Sequence, residues 1–206
     1  MLKEKFGHRI DHWIRVALPF LFKRPLNPNL LTVTGALVSL LAAIGLAKGH
    51  FLAGGILILA GGAFDLVDGV VARHFGTSTS FGAFLDSTLD RFVDMALLLG
   101  LVVFYGAQDE SVPQLLAEVA LVCSIMTSYA KARAEVTISH LPGGMLERGE
   151  RLGLLAAGAI LGIMVPVLWI LAAGTLVTVV QRFRSAHRAM QRFDAAARSG
   201  AGEDTR

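Results

Sequence analysis

Six apolar stretches, most of them close to the roughly 20 residues that a bilayer crossing needs, partition this chain at about 30–47, 51–73, 82–105, 113–135, 150–165 and 167–183. With 206 residues, 54% of them hydrophobic, and a mean hydropathy of +0.60, the pattern excludes an ordinary soluble domain. It predicts one all-α, polytopic membrane helix bundle. The last two stretches are the weak point, because no charge lies between Leu152 and Val180 and only Pro166 marks a turn. Each half is short for a crossing, and a single long tilted helix is the alternative.

Charge placement decides between them. Lys3, Lys5, Arg9, Arg15, Lys23 and Arg24 precede the first stretch, Lys131, Arg133, Arg148 and Arg151 surround the fourth connection, and Arg182, Arg184, Arg188, Arg192 and Arg198 follow the last. The third connection carries only Asp109 and Glu110. Six crossings with both termini cytosolic put every basic cluster inside, whereas five would put the basic tail outside.

Three regions follow. Residues 1–24 hold Phe6, Ile10, Trp13, Ala17 and Leu21 at three- and four-residue intervals among charged residues, which reads as an amphipathic helix lying on the membrane surface or, more simply, packing on the bundle. Pro25 and Pro28 end it, and Asn27 or Asn29 can cap the next helix. Residues 25–186 form the membrane domain. Residues 187–206 form a cytosolic tail with helical propensity to Arg198 and a disordered end. The scattered N-terminal charges do not make a secretory signal. Cys123, the single cysteine, leaves no disulfide and no thiolate metal site. A net charge of +3 concentrated beside apolar runs points to anionic lipid headgroups rather than nucleic acid.

Within this apolar background Asp65 and Asp68 are three residues apart and Asp86 and Asp90 four apart, so in helices each pair shares one face. A charge near the bilayer centre costs about 2.5–3.5 kcal/mol on insertion scales. Four acids together therefore imply a cation between them, and oxygen-only ligands favour Mg²⁺, Mn²⁺ or Ca²⁺. A proton or ion path, or structural pairing with Arg73 and Arg91, is the competing explanation. Gly69 and Ala72 give room for a ligand or for another helix.

The spacing Asp65-x-x-Asp68-Gly69-x-x-Ala72-Arg73, eight residues, Gly82-x-x-x-Asp86-x-x-x-Asp90 resembles the signature of the CDP-alcohol phosphatidyltransferases at every position. That resemblance implies transfer of the phosphatidyl group of CDP-diacylglycerol to an alcohol with release of CMP, two Mg²⁺ or Mn²⁺ ions, a homodimer, and a bacterial plasma-membrane location with the active site cytosolic. By the same resemblance Asp65 and Asp86 touch both metals, Asp68 one, and Asp90 the other while serving as general base. Asn29, Leu30, Leu31 and Thr32 resemble the nucleotide-contacting turn of the family, with Pro28 as its proline. Gly69, Arg73 and Thr79 match positions that hold the cytidine diphosphate. For the dimer, Gly158-x-x-x-Gly162 offers a close-packing surface.

Three further segments, Ser128 to Glu135, Gly143 to Arg151 and Val180 to Arg182, are similar to SYxKARAE, GGxxERxER and VQR segments of the inositol-phosphate-using branch of the family. The similarity implies that Ser128, Lys131, Arg151 and Arg182 bind the phosphate of inositol 1-phosphate. The chain departs from that branch in its short connection between the last two helices. Glycerol 3-phosphate would also suit a cationic pocket, as in phosphatidylglycerophosphate synthases, and serine would need less positive charge. Outside enzymes, the competing class is a cation or proton transporter, for which the first, fifth and sixth helices offer no further acids.

Overall fold

The computed structural model describes residues 27–141 and 144–200, with side chains to Ala195. The N-terminal region 1–24 lies outside the described residues, as do the last six positions of the tail. Six helices make up the described chain: α1 Pro28–Ala47, α2 Phe51–Phe75, α3 Ser80–Ala107, α4 Ser111–Ala134, α5 Arg148–Leu161 and α6 Met164–Gly200.

Local signals set most of the boundaries. Asn27 caps α1, its side chain accepting from the Asn29 amide at 3.0 Å, and Pro28 takes the first helical position, where its missing N–H costs nothing. Gly76, at φ 61°, ends α2 in the left-handed conformation, and Thr79 caps α3 by accepting from the Gly82 amide. The break between the last two helices falls at Gly162, at φ 69°, and not at Pro166, which sits in the first turn of α6. There the Ile163 amide bonds back to the Gly158 carbonyl at 3.0 Å, closing the end of α5. Proline is tolerated in a first turn because no intrahelical donor is lost. The sixth helix then runs unbroken past Arg198 to Gly200.

Four of the helices, Pro28–Ala47, Phe51–Phe75, Ser111–Ala134 and Met164–Ala195 within α6, are long and apolar enough to cross a membrane. Helix α3 has the length but carries Asp86, Asp90, Arg91 and Asp94, and α5 has only 14 residues. Side-by-side packing closes a ring in the order α1, α2, α5, α6, α4, α3. Leu46, Leu97, Leu101, Leu155, Leu168 and Leu171 fill its interior. Outside it, Leu37, Leu41, Ile44, Leu52, Ile56 and Leu59 are exposed, so these helices are apolar all round and face lipid.

Small residues bring the helices close where the site is built. A Cβ on Gly100 of α3 would come 2.5 Å from the Ala43 carbonyl of α1, and one on Gly61 of α2 would come 2.1 Å from Ser39 Oγ. Backbone cannot yield as a flexible side chain can. Gly100→Val should therefore destabilise the bundle by about 1–3 kcal/mol, read as a lower melting temperature in detergent. A similar change at Gly62, whose Cβ meets nothing within 4 Å, is the control.

Gly158 is used in the same way inside the chain. It is buried, and its Cβ would meet Val167 of α6 at 2.9 Å. The Gly158-x-x-x-Gly162 pair is thus an α5–α6 contact followed by a helix cap, which removes it as a dimer surface.

Candidate active site

The carboxylates gather where α2 and α3 lie against the start of α1. Ligand oxygens of Asp65, Asp68 and Asp86 all lie within 4.8 Å of one another, a spacing that suits bridging by hard divalent cations. Asp68 is buried and receives a hydrogen bond from the Thr32 hydroxyl, which also contacts the Pro28 carbonyl. That pair ties the capped turn of α1 to the acidic face of α2.

Asp90 adjoins this trio through Asp65, which its side chain contacts. Arg148, from the first turn of α5, extends its fork across the ring, with Nη1 2.7 Å from Asp65 Oδ2 and Nη2 2.9 Å from Asp90 Oδ1. Its Nε lies 3.6 Å from Asp94 Oδ1, and the other oxygen of Asp94 pairs with Arg151. Arg151 and Asp94 are 5% and 6% exposed, so the pair is enclosed. Arg148 and Arg151 are three apart on α5 and Asp90 and Asp94 four apart on α3, so two matched faces meet.

Two cavities flank the carboxylates. The first, about 280 Å³, is lined by Asn29, Thr32, Asp68, Gly69, Arg73, Thr79, Gly82 and Asp86, among others. Its glycines are functional in shape: a Cβ on Gly69 would stand 3.1 Å from Arg73 Nη1, and one on Gly82 would stand 2.9 Å from Asn29 Oδ1. Bare backbone lets both side chains lie over the cavity. Leu30 and Leu31 do not line it, and Leu30 is 65% exposed. From the N-L-L-T turn only Asn29 and Thr32 reach the cavity with their side chains.

The second cavity, about 170 Å³, brings Ser128, Lys131, Arg151 and Arg182 together from three helices. Arg182 is anchored by donating to the Thr127 carbonyl at 2.7 Å, and Arg151 also donates to the Leu146 carbonyl. Arg91, Asp90, Asp94, Thr127, Glu147 and Arg148 complete the wall. A narrow gap beside them is lined by Thr32, which also lines the first cavity, by Asp90 and Arg148, which also line the second, and by Asp65.

Sequence reasoning missed Arg148 and Asp94 as site residues. The signal was present in their spacing from Arg151 and Asp90, but a basic residue beside a membrane segment has a sufficient explanation in topology.

This chain belongs to the CDP-alcohol phosphatidyltransferase family, whose profile matches residues 26–183. It is a multi-pass membrane enzyme of phospholipid biosynthesis with a metal-binding acidic cluster. Among its relatives, the phosphatidylinositol phosphate synthase of Mycobacteroides abscessus is 37% identical over 194 residues, covering 90% of this chain and 88% of that one. The crystal structure of the Mycobacterium tuberculosis phosphatidylinositol phosphate synthase, PgsA1, with CDP-DAG bound superposes with a TM-score of 0.72 at 30% identity, over 88% of this chain and 94% of that one. The same enzyme in complex with manganese and citrate gives a TM-score of 0.73 at 30% identity, over 87% and 88%. Membership in this family sets the transporter reading aside.

Proposed function

We propose that the protein transfers the phosphatidyl group of CDP-diacylglycerol to inositol 1-phosphate, yielding phosphatidylinositol phosphate and CMP. The observation that carries the acceptor is the convergence of Ser128, Lys131, Arg151 and Arg182 on one cavity beside Asp90. Its cations suit a phosphate monoester, which a fork of planar donors binds with two parallel hydrogen bonds. The relatives named as phosphatidylinositol phosphate synthases favour the same acceptor.

Asn29, Thr32, Gly69, Arg73 and Thr79 hold the cytidine diphosphate part in the first cavity, Arg73 meeting the diphosphate. Leu30 and Leu31 contribute through the turn they build. Asp65, Asp68 and Asp86 hold one divalent ion, and Asp65, Asp86 and Asp90 a second, Mg²⁺ or Mn²⁺; bound there, the ions would neutralise the diphosphate oxygens as charge shifts to the leaving CMP. Asp90, facing the second cavity, takes the proton of the acceptor hydroxyl. The acceptor oxygen forms the new bond to the phosphatidyl phosphorus as the bond to CMP breaks. Arg151, Arg182, Lys131 and Ser128 fix the acceptor by its phosphate so that a ring hydroxyl points at that phosphorus.

The wider assignment follows the charge pattern. All six helices cross a bacterial plasma membrane, with both termini and both cavities on the cytosolic side. Residues 1–24 lie on the membrane surface, 25–186 form the catalytic domain and 187–206 the tail. The enzyme works as a homodimer through a surface other than Gly158 and Gly162.

Purified protein in lipid vesicles, given CDP-diacylglycerol with inositol 1-phosphate, glycerol 3-phosphate, free inositol or serine in parallel, tests the reading through CMP release. Inositol 1-phosphate should be used best and free inositol very poorly, since cations built for a phosphate are then left unpaired. Excess EDTA should stop the reaction. A preference for glycerol 3-phosphate would change the acceptor and keep the pocket, whereas a preference for serine or free inositol would remove both.

A further inference from the structure

Arg148 faces two sites at once. Its fork holds Asp65 and Asp90 across the narrow gap, and its side chain also lines the second cavity beside Arg151. Two of the carboxylates assigned to the second metal ion are therefore the ones this guanidinium binds. Its Nε is buried without a hydrogen bond and faces Asp94 Oδ1, which is equally unsatisfied, across 3.6 Å. The side chain is thus bonded firmly on one side and incompletely on the other.

We propose that Arg148 is a positioning residue that couples the second metal ion to the acceptor: guanidinium and ion compete for Asp65 and Asp90, and the acceptor phosphate favours the guanidinium's release. This rests on the two-ion reading given above. A guanidinium and a metal ion sharing the same two carboxylates would repel each other in a partly buried site. With an ion held by Asp65 and Asp90 the fork would have to let go, and the freed guanidinium would need another anion. Asp94 offers it one oxygen only, because Oδ2 is taken by Arg151 and Oδ1 alone faces Arg148. Arg91, Lys131, Arg148, Arg151 and Arg182 outnumber Asp90, Asp94 and Glu147 around the second cavity, so a phosphate dianion there provides the missing partner. By linkage the ion must then tighten acceptor binding by the same factor as the acceptor tightens the ion.

The test is a Mn²⁺ titration of the full-length protein in detergent, followed by electron paramagnetic resonance of free Mn²⁺, with and without inositol 1-phosphate and corrected for their complex in solution. In the wild type the second Mn²⁺ should bind weakly alone and roughly five- to 150-fold more tightly with inositol 1-phosphate, while free inositol has no effect. In Arg148→Ala the second Mn²⁺ should bind tightly without acceptor, and inositol 1-phosphate should add little. Arg148→Gln, which keeps the bulk and can reach only one carboxylate, should shift the same way and serves if the alanine variant does not fold. Two Mn²⁺ ions bound in the wild type with no acceptor dependence, or the same dependence in the variants, would overturn the coupling and leave the two-ion reading intact. A single Mn²⁺ in every protein would overturn both.

Discussion

Asp65→Asn should all but abolish phosphatidyl transfer, with a loss of about 10²–10³-fold in turnover, the scale expected when one preorganised electrostatic element is removed from an enclosed site. No other carboxylate is as central. Asp65 belongs to the three-carboxylate cluster and also receives the Arg148 fork. Asparagine keeps the shape and one acceptor oxygen but removes a negative charge from the metal-binding cluster. The fold should survive, because Arg148 retains Asp90 and Asp94 as partners. Mn²⁺ affinity, CMP release and melting temperature in one preparation check this, and turnover within tenfold of wild type would remove Asp65 from the centre of the site.

Arg151→Ala should be the most damaging change in the second cavity, for two separable reasons. Acceptor KM should rise by about 10- to 150-fold, because a charge-assisted contact to phosphate of roughly 1.5–3 kcal/mol is lost. Stability should fall as well. Removing one member of a buried ion pair costs about 3–5 kcal/mol, and here Asp94, 8% exposed at its side chain, would be left facing only the Nε of Arg148. The double change Asp94→Asn with Arg151→Ala should restore most of the melting temperature and none of the acceptor KM. CDP-diacylglycerol binding should stay nearly unchanged throughout, since Arg151 lines the second cavity and not the first. Recovery of KM in the double variant would mean that Arg151 acts through Asp94 alone.

The helices and the acidic signature were legible because each rests on local chemistry. Apolar length gave the segments, the helical repeat put Asp65 beside Asp68 and Asp86 beside Asp90, and Asn27 is a capping residue in a capping position. What escaped depends on contacts between distant segments. Arg148 meets Asp65 across 83 residues and Arg151 meets Asp94 across 57, distances at which no periodicity speaks. The turn before α6 was misplaced because proline is the louder breaker in sequence, whereas Gly162 supplied the positive φ that the chain needed. The glycine pair on α5 likewise looked like a seam between subunits, and only the position of Val167 shows that its partner is the next helix.

The short α5 has a consequence for the lipid around the protein. Fourteen residues rise only about 21 Å, against a hydrocarbon layer of about 30 Å. Arg148 and Arg151 at one end and the Gly162 turn at the other therefore cannot both sit at opposite surfaces of an undistorted bilayer. The far leaflet must therefore bend inward to meet that turn. Acyl-chain length should then be felt on the side away from the chemistry, making membrane thickness a lever on this enzyme even though both polar cavities open at the other face.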